Sequence, residues 1–215
     1  MIKADLHIHT QYSPDSNNSL DDIIKRCLKI GVNCISVCDH GTAEGALKLK
    51  SIAPFKIIVS EEILTPYGEI MGMFLKETIP SNISADEAIK RIREQDGIVC
   101  IPHPFDKFRS SAFQGNDLEI IKDNIDIIEV LNARTLPFQN RKQGLEFAKK
   151  YKIRQGAGSD AHTISEIGTA YVEISDFEGK DEFLKALESG KIAGHYSSIF
   201  VHFFSTKNKI NKRFK

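Results

Sequence analysis

Short Ile- and Val-rich runs recur along this chain at intervals long enough to hold one helix each. That rhythm restricts the fold more than any other feature. The runs are IKADLHI, NCISVCD, FKIIVSE, EIMGMFL, GIVCIPH, IDIIEVL, IRQGAGS and TAYVEIS. Several are apolar on both faces, as parallel strands buried inside an α/β protein must be. Helical patterns lie between them. SLDDIIKRCLKIG opens on Ser19 as a cap and stops at Gly31, and SADEAIKRIREQDG opens on Ser84, has Glu87 three residues on and stops at Gly97. FQNRKQGLEFAKKYK and GKDEFLKALESGK complete the helical set. Strand and helix in alternation predict an α/β fold with a parallel sheet.

The strand ends carry the chemistry. The first run ends at His7 and His9, the second at Asp39 and His40, the third at Glu61 and Glu62. GIVCIPHP ends at His103, IDIIEVLN at Asn132, and GAGSDAH at Asp160 and His162. From His9 to Asp160 the intervals are 31, 22, 41, 29 and 28 residues, the scale of one strand-plus-helix unit. In a βα barrel the carboxyl ends of the strands converge on one face, so these distant residues are expected to share one pocket. Side chains two apart on a strand face the same way, which makes His7 and His9 a clamp for one cation. Imidazole and carboxylate suit zinc, manganese or iron. Five of the seven histidines fall at such ends; His195 and His202 do not.

The 215 residues and 41% hydrophobic content suit one domain, taken as 1–205 with a basic tail over 206–215. Lys+Arg and Asp+Glu are both 29, so there is no global electrostatic drive toward nucleic acid or anionic membranes. No apolar run approaches membrane-spanning length, and a soluble cytoplasmic protein is expected. Cys27, Cys34, Cys38 and Cys100 form no C-x-x-C pair and read as reduced, buried thiols.

Taken together, DLHIHT, CDHGT, Glu62 in SEEIL, HPFD, EVLNAR and GSDAH resemble the polymerase and histidinol phosphatase (PHP) domain family, in the family's order over residues 5–162. The resemblance implies a distorted (β/α)7 barrel holding two or three divalent ions of zinc, manganese or iron. By position, a first ion takes His7, His9, Glu62 and Asp160; Glu62 bridges to a second held by His103; a third takes Asp15, His40 and His162. Asn132 stands where relatives place a His or Cys to complete the second site. Glu61 competes for the bridge, but Glu62 is preferred because its strand neighbour must face away. Asp5 and Asp39 are expected to orient ligand imidazoles.

Members of the family are mostly phosphoesterases, so a phosphomonoester or phosphodiester of a small molecule or nucleotide is the expected substrate. Arg109 and Arg134, each just past a strand end, are candidates for phosphate recognition. Asp160 and His162 are candidates for proton transfer. Phe105, Phe108 and Phe113 offer a lid or ordinary packing. The alternatives are an exonuclease acting on short oligonucleotides, a non-phosphoester metallohydrolase, and a metal-binding regulatory module.

Overall fold

A two-residue turn, Pro66–Tyr67, decides how the middle of the barrel is built. It is too short for a crossover, so the strands on either side of it must pair antiparallel. The computed structural model describes residues 1–136 and 141–197. Its elements run β1 (Ile2–Ile8), α1 (Leu20–Ile30), β2 (Cys34–Val37), α2 (Glu44–Ile52), β3 (Lys56–Thr65), β4 (Gly68–Met73), α3 (Ala85–Glu94) and β5 (Ile98–Ile101). Then follow α4 (Gly115–Ile121), β6 (Ile127–Asn132), α5 (Arg141–Tyr151), β7 (Arg154–Gly158), β8 (Ala170–Ile174), α6 (Gly179–Glu188) and β9 (Lys191–Gly194). The strand order is β7-β6-β5-β4-β3-β2-β1-β8-β9.

β1, β2 and β3 pair parallel, as do β5, β6 and β7, while β4 is antiparallel to both of its neighbours. The parallel sheet expected from alternating strands and helices is therefore corrected to a mixed one, antiparallel at β4 and again at β8 and β9. The sheet closes on itself between β1 and the end of β7. Asp160 N–H donates to His7 O at 2.7 Å and His9 N–H to Ala161 O at 3.0 Å. The result is a distorted, nearly closed α/β barrel, with β8 and β9 continuing antiparallel from the outer edge of β1.

Local chemistry explains the helices. Ser19 accepts from Asp22 N–H and Ser84 from Glu87 N–H, each cap worth about 1 kcal/mol. Glu87 does not turn back to complete a capping box; its carboxylate takes Arg91 Nε at 2.7 Å, one turn on. Gly31 ends α1 in the left-handed region at φ 70°. Gly97 plays no such part: Asp96 takes the left-handed turn after α3, at φ 63°. Gly97 is small because a Cβ there would lie 2.9 Å from both Ile92 O and Met73 O. α3 buries Ala85, Ala88, Ile89 and Ile92 against the barrel, and each isoleucine contributes roughly 1.5–3 kcal/mol.

Alternation along the strands divides the core into two layers. Ile35 and Val37 of β2 pack outward with Ile23, Leu49 and Ile89 from the helices. Cys34 and Cys38 face the other way, with Leu6, Ile58, Met71, Ile98, Ile127 and Ala157, and Phe183 and Leu187 of α6 join this inner layer. All four cysteines are buried free thiols. No helix among the described residues is long and apolar enough to cross a membrane. The basic tail over 206–215 and His202 lie outside the described residues, as does the 138–140 stretch expected to begin α5.

Barrel closure leaves no room at Gly158. A Cβ there would lie 2.3 Å from His7 Cβ and 2.7 Å from His7 N. Gly158→Ala is expected to force β1 and β7 apart and cost about 3 kcal/mol, seen as a lower urea midpoint. A midpoint unchanged from the parent would show that the closure is slack.

Candidate metal centre

Three side chains define the centre of the barrel mouth. His7 Nε2 and His9 Nε2 are 3.1 Å apart. Asp160 Oδ1 lies 3.5 Å from the first and 3.3 Å from the second. Glu62 reaches the same two nitrogens, at 3.3 Å through Oε1 and 3.5 Å through Oε2. Ligands held tetrahedrally about 2.0–2.2 Å from a divalent ion stand about 3.3–3.6 Å from one another; the four carboxylate separations fall in that range and the 3.1 Å between the two nitrogens lies just below it. All four residues are buried.

Two further groups adjoin this one. His103 Nε2 is 3.0 Å from Glu62 Oε1, and His7, Glu62 and His103 present converging ligand atoms. On the other side, Asp15 places Oδ2 3.4 Å from His40 Nε2 and Oδ1 3.3 Å from His162 Nε2. His9 is shared with that group, its ring 4.7 Å from His40 and 4.2 Å from His162. Eight of the nine expected ligands are thus gathered at one end of the barrel.

Two of them sit on unusual backbone. His103 has φ 33° and Asp160 φ 54°, both in the left-handed region that non-glycine residues avoid. Such conformations cost of order 1–3 kcal/mol each and persist where surrounding contacts enforce them. Here the enforcing bonds are identifiable. Glu129 Oε2 accepts His103 N–H at 2.7 Å, and His7 O accepts Asp160 N–H at 2.7 Å.

The buried carboxylates and imidazoles set one another's charge: burial disfavours protonated His7 and His40, yet the acidic groups around them hold both above the usual imidazole range. Burial works against ionising Glu62, but His7 and His40 hold its carboxyl well below the usual range. Burial likewise opposes ionised Asp160, and Arg109, then His7, override it. His9 is driven the other way, down to about 3, by burial and by His162. It therefore stays neutral, as a metal ligand must. His7 Nδ1 lies 3.2 Å from Glu129 Oε1, which turns its Nε2 toward His9, Glu62 and Asp160. Among the described residues, His9 Nδ1, Glu62 Oε2, Glu69 Oε2, His103 Nδ1 and Asp160 Oδ1 are buried without a hydrogen-bond partner. Orphaned donors and acceptors this dense are rare in folded proteins. The donor set fits divalent first-row ions.

Several expected residues sit differently. Asn132 is in the site, but its amide is committed: Nδ2 donates to Glu129 Oε2 at 2.9 Å and Asp160 Oδ2 at 3.2 Å, while Oδ1 accepts Arg134 N–H at 2.9 Å. It braces two carboxylates, and its oxygen already accepts one N–H. Arg134 is buried, its Nε 3.4 Å from Glu166 Oε1. Arg109 stays 21% exposed in its side chain and donates from Nη2 to Asp160 Oδ2 at 2.6 Å. Among the described residues, Asp5 and Asp39 accept no bond from an imidazole ring. Asp5 takes Ser159 N–H, Ser159 Oγ–H and Gly168 N–H; Asp39 takes Thr10 N–H and Oγ1–H. They tie down the loops that follow the strands. Phe113 is buried, Phe105 packs edge-on to Phe147 at 6.0 Å, and Phe108 is exposed. His195 is exposed beyond β9.

Three acids were missed. Glu129 orients His7, Glu166 accepts His162 N–H at 3.1 Å, and Glu69 approaches His40 and His103 at 3.2 and 3.5 Å. Glu69 was detectable. It opens a strand that follows a two-residue turn, and an antiparallel strand begins beside the carboxyl end of its partner.

Glu61 faces away from Glu62, as consecutive strand residues do, and accepts Ile79 N–H at 2.9 Å. Burial pushes its carboxyl from 4.5 up to about 8. The folded protein then keeps a proton that the unfolded chain releases, so stability falls as pH rises from 4.5 to about 8 and levels off above. Glu61→Gln removes that loss. It is expected to gain about 1–3 kcal/mol on the parent at pH 8 and almost nothing at pH 4.5, by urea unfolding at both pH values. A gain of equal size at both would refute the assignment.

Residues 5–95 match the family model for the PHP domain, and residues 138–192 match one described as PHP-associated. The uncharacterized protein MJ0417 of Methanocaldococcus jannaschii is 37% identical over 179 residues, covering 81% of this chain and 71% of that protein. This chain belongs to the PHP domain family. The two PHP matches contain seven of the gathered residues, and His103 falls between them. Among solved structures, the PHP barrel superimposes on a two-domain protein from Bacteroides vulgatus containing a predicted PHP-like metal-dependent phosphoesterase. The TM-score is 0.73 at 14% identity, over 90% of this chain but only 65% of that one. An amidohydrolase from Chromobacterium violaceum, solved with sulfate and no metal, gives a TM-score of 0.64 at 14% identity over 77% of this chain and 89% of its own. At such identities the likeness is one of fold.

Proposed function

We propose that this PHP protein is a metal-dependent phosphoesterase acting on a phosphomonoester or phosphodiester of a small molecule or nucleotide. The observation that carries the reading is the His7–His9–Asp160 triangle, with edges of 3.1, 3.3 and 3.5 Å, and the Arg109 guanidinium directly beside it. Divalent ions, when bound, supply Lewis acidity toward phosphoryl oxygens and bring water near its pKa at neutral pH.

The chain's own groups have separable tasks. His7, His9, Glu62 and Asp160 form one ligand set, His103 extends it through Glu62, and Asp15, His40 and His162 form another. His162 directs Nδ1 to Asp160 O at 2.8 Å, so its Nε2 is the free ligand atom and the ring is held as a ligand, not as a proton carrier. Arg109 holds Asp160 Oδ2 with one of its five N–H donors and offers others to a phosphoryl oxygen. Its partial exposure suits contact with a substrate. Arg134 acts from behind: it pairs with Glu166, and Glu166 fixes the His162 turn by accepting His162 N–H and Thr163 N–H.

The test is hydrolysis by chelator-stripped protein resupplied with manganese, zinc or iron. Substrates should cover phosphomonoesters, cyclic dinucleotides, short oligonucleotides and simple amides. Metal-dependent phosphate release from a small phosphoester is the expected result. Cleavage of the amides alone would replace phosphoester chemistry by the amidohydrolase alternative. Preference for oligonucleotides would move the reading to the exonuclease.

A further inference from the structure

We propose that Glu69 is a metal ligand, the carboxylate that completes the second site in place of Asn132; this rests on the metal-centre reading above. The need is plain from the geometry. His103 and Glu62 give the second site two protein donors, since His7 Nε2 is turned to His9 and Asp160, and the Asn132 amide is already engaged by Glu129, Asp160 and the Arg134 backbone. Glu69 supplies what is missing. In the β3–β4 hairpin Leu64 pairs with Glu69, so Glu69 shares a face with Glu62 two residues back along β3.

Its two oxygens do different things. Oε2 lies 3.5 Å from His103 Nε2 and, among the described residues, has no hydrogen-bond partner, although the residue is only 6% exposed. Oε1 lies 3.2 Å from His40 Nδ1, the atom that Glu62 Oε2 also approaches at 3.2 Å. Two carboxylates thus approach His40 Nδ1, His40, Glu62 and Glu69 present converging ligand atoms, and His40 Nε2 is turned to the third group, 3.4 Å from Asp15 Oδ2. Glu69 therefore donates to the second site and orients a ligand of the third. A cation between the buried Glu62 and Glu69 would offset the repulsion between their carboxylates. A carboxylate in this position, in place of imidazole or thiolate, makes the site harder and shifts it from zinc toward manganese or iron(II).

Chelator-stripped protein titrated with manganese chloride alone tests this, with bound metal counted by elemental analysis and free Mn²⁺ read by its electron paramagnetic resonance. Glu69→Gln is expected to bind one ion fewer, or to bind its last ion at least about 10-fold more weakly. Glu69→His is expected to recover that ion and to favour Zn²⁺ over Mn²⁺ in competition. A Glu69→Gln protein with the parent's stoichiometry and affinity overturns the proposal. Should circular dichroism show that Glu69→Gln does not fold, Glu69→His decides: a shift toward Zn²⁺ supports the assignment, and the parent's Mn²⁺/Zn²⁺ preference overturns it. A parent protein that binds neither ion removes the metal centre itself, a different failure from an indifferent Glu69.

Discussion

Replacing His7 and His9 together with alanine is expected to lower metal-dependent phosphate release by at least about 1,000-fold, and the double variant is expected to lose tightly held metal. Metal chemistry contributes several kcal/mol to the transition state, and each 1.4 kcal/mol is a factor of ten. The two rings supply two of the four donors around the central position, and His9 is shared with the Asp15–His40–His162 group. The fold is expected to survive, because barrel closure runs through the backbone of His7 and His9, which alanine keeps. A folded double variant that still hydrolyses phosphoesters at the parent rate would mean that the chemistry lies elsewhere.

Changing Arg109 to methionine is expected to act in two opposite settings. In stripped protein, Asp160 loses its nearest cation while fully buried, and breaking such a pair costs about 3 kcal/mol. In loaded protein the metal takes over that compensation, and the stability loss should shrink. What remains is a loss of phosphate binding, a rise in KM of about 10- to 100-fold, the equivalent of one charged hydrogen bond. Calorimetric melting with and without manganese, set beside steady-state kinetics, checks both halves. An equal stability loss in both forms, with KM unchanged, would leave Arg109 as a structural ion pair only.

Much of this was legible in the sequence. Eight Ile- and Val-rich runs became β1 to β8, because a strand buried on both faces leaves a compositional mark that survives without context. The gathering of eight candidate residues was legible for a related reason: a barrel collects its strand ends, so residues from His9 to Asp160 meet at one mouth. β9 was not, since KIAG is short and half-exposed and has no apolar run of its own. α2 was missed because its first residue follows Ala43, which makes no side-chain cap, and α4 because Gln114 makes none either. The partners of Asn132 and Arg134 were not legible, for a deeper reason. Residue type and position place a side chain at the mouth, but its partners decide whether it faces a cation or braces a neighbour. Glu129, Glu166 and Glu69 act through such partners, from one β-strand that pairs parallel, a turn and a β-strand that pairs antiparallel.

The most direct test is anomalous diffraction from crystals grown with manganese or zinc, collected at the metal edge. An ion about 2.0–2.3 Å from His7 Nε2, His9 Nε2 and Asp160 Oδ1 is the expected result. Well-ordered crystals with no anomalous peak within reach of those three atoms, or a peak only at surface carboxylates, would contradict it.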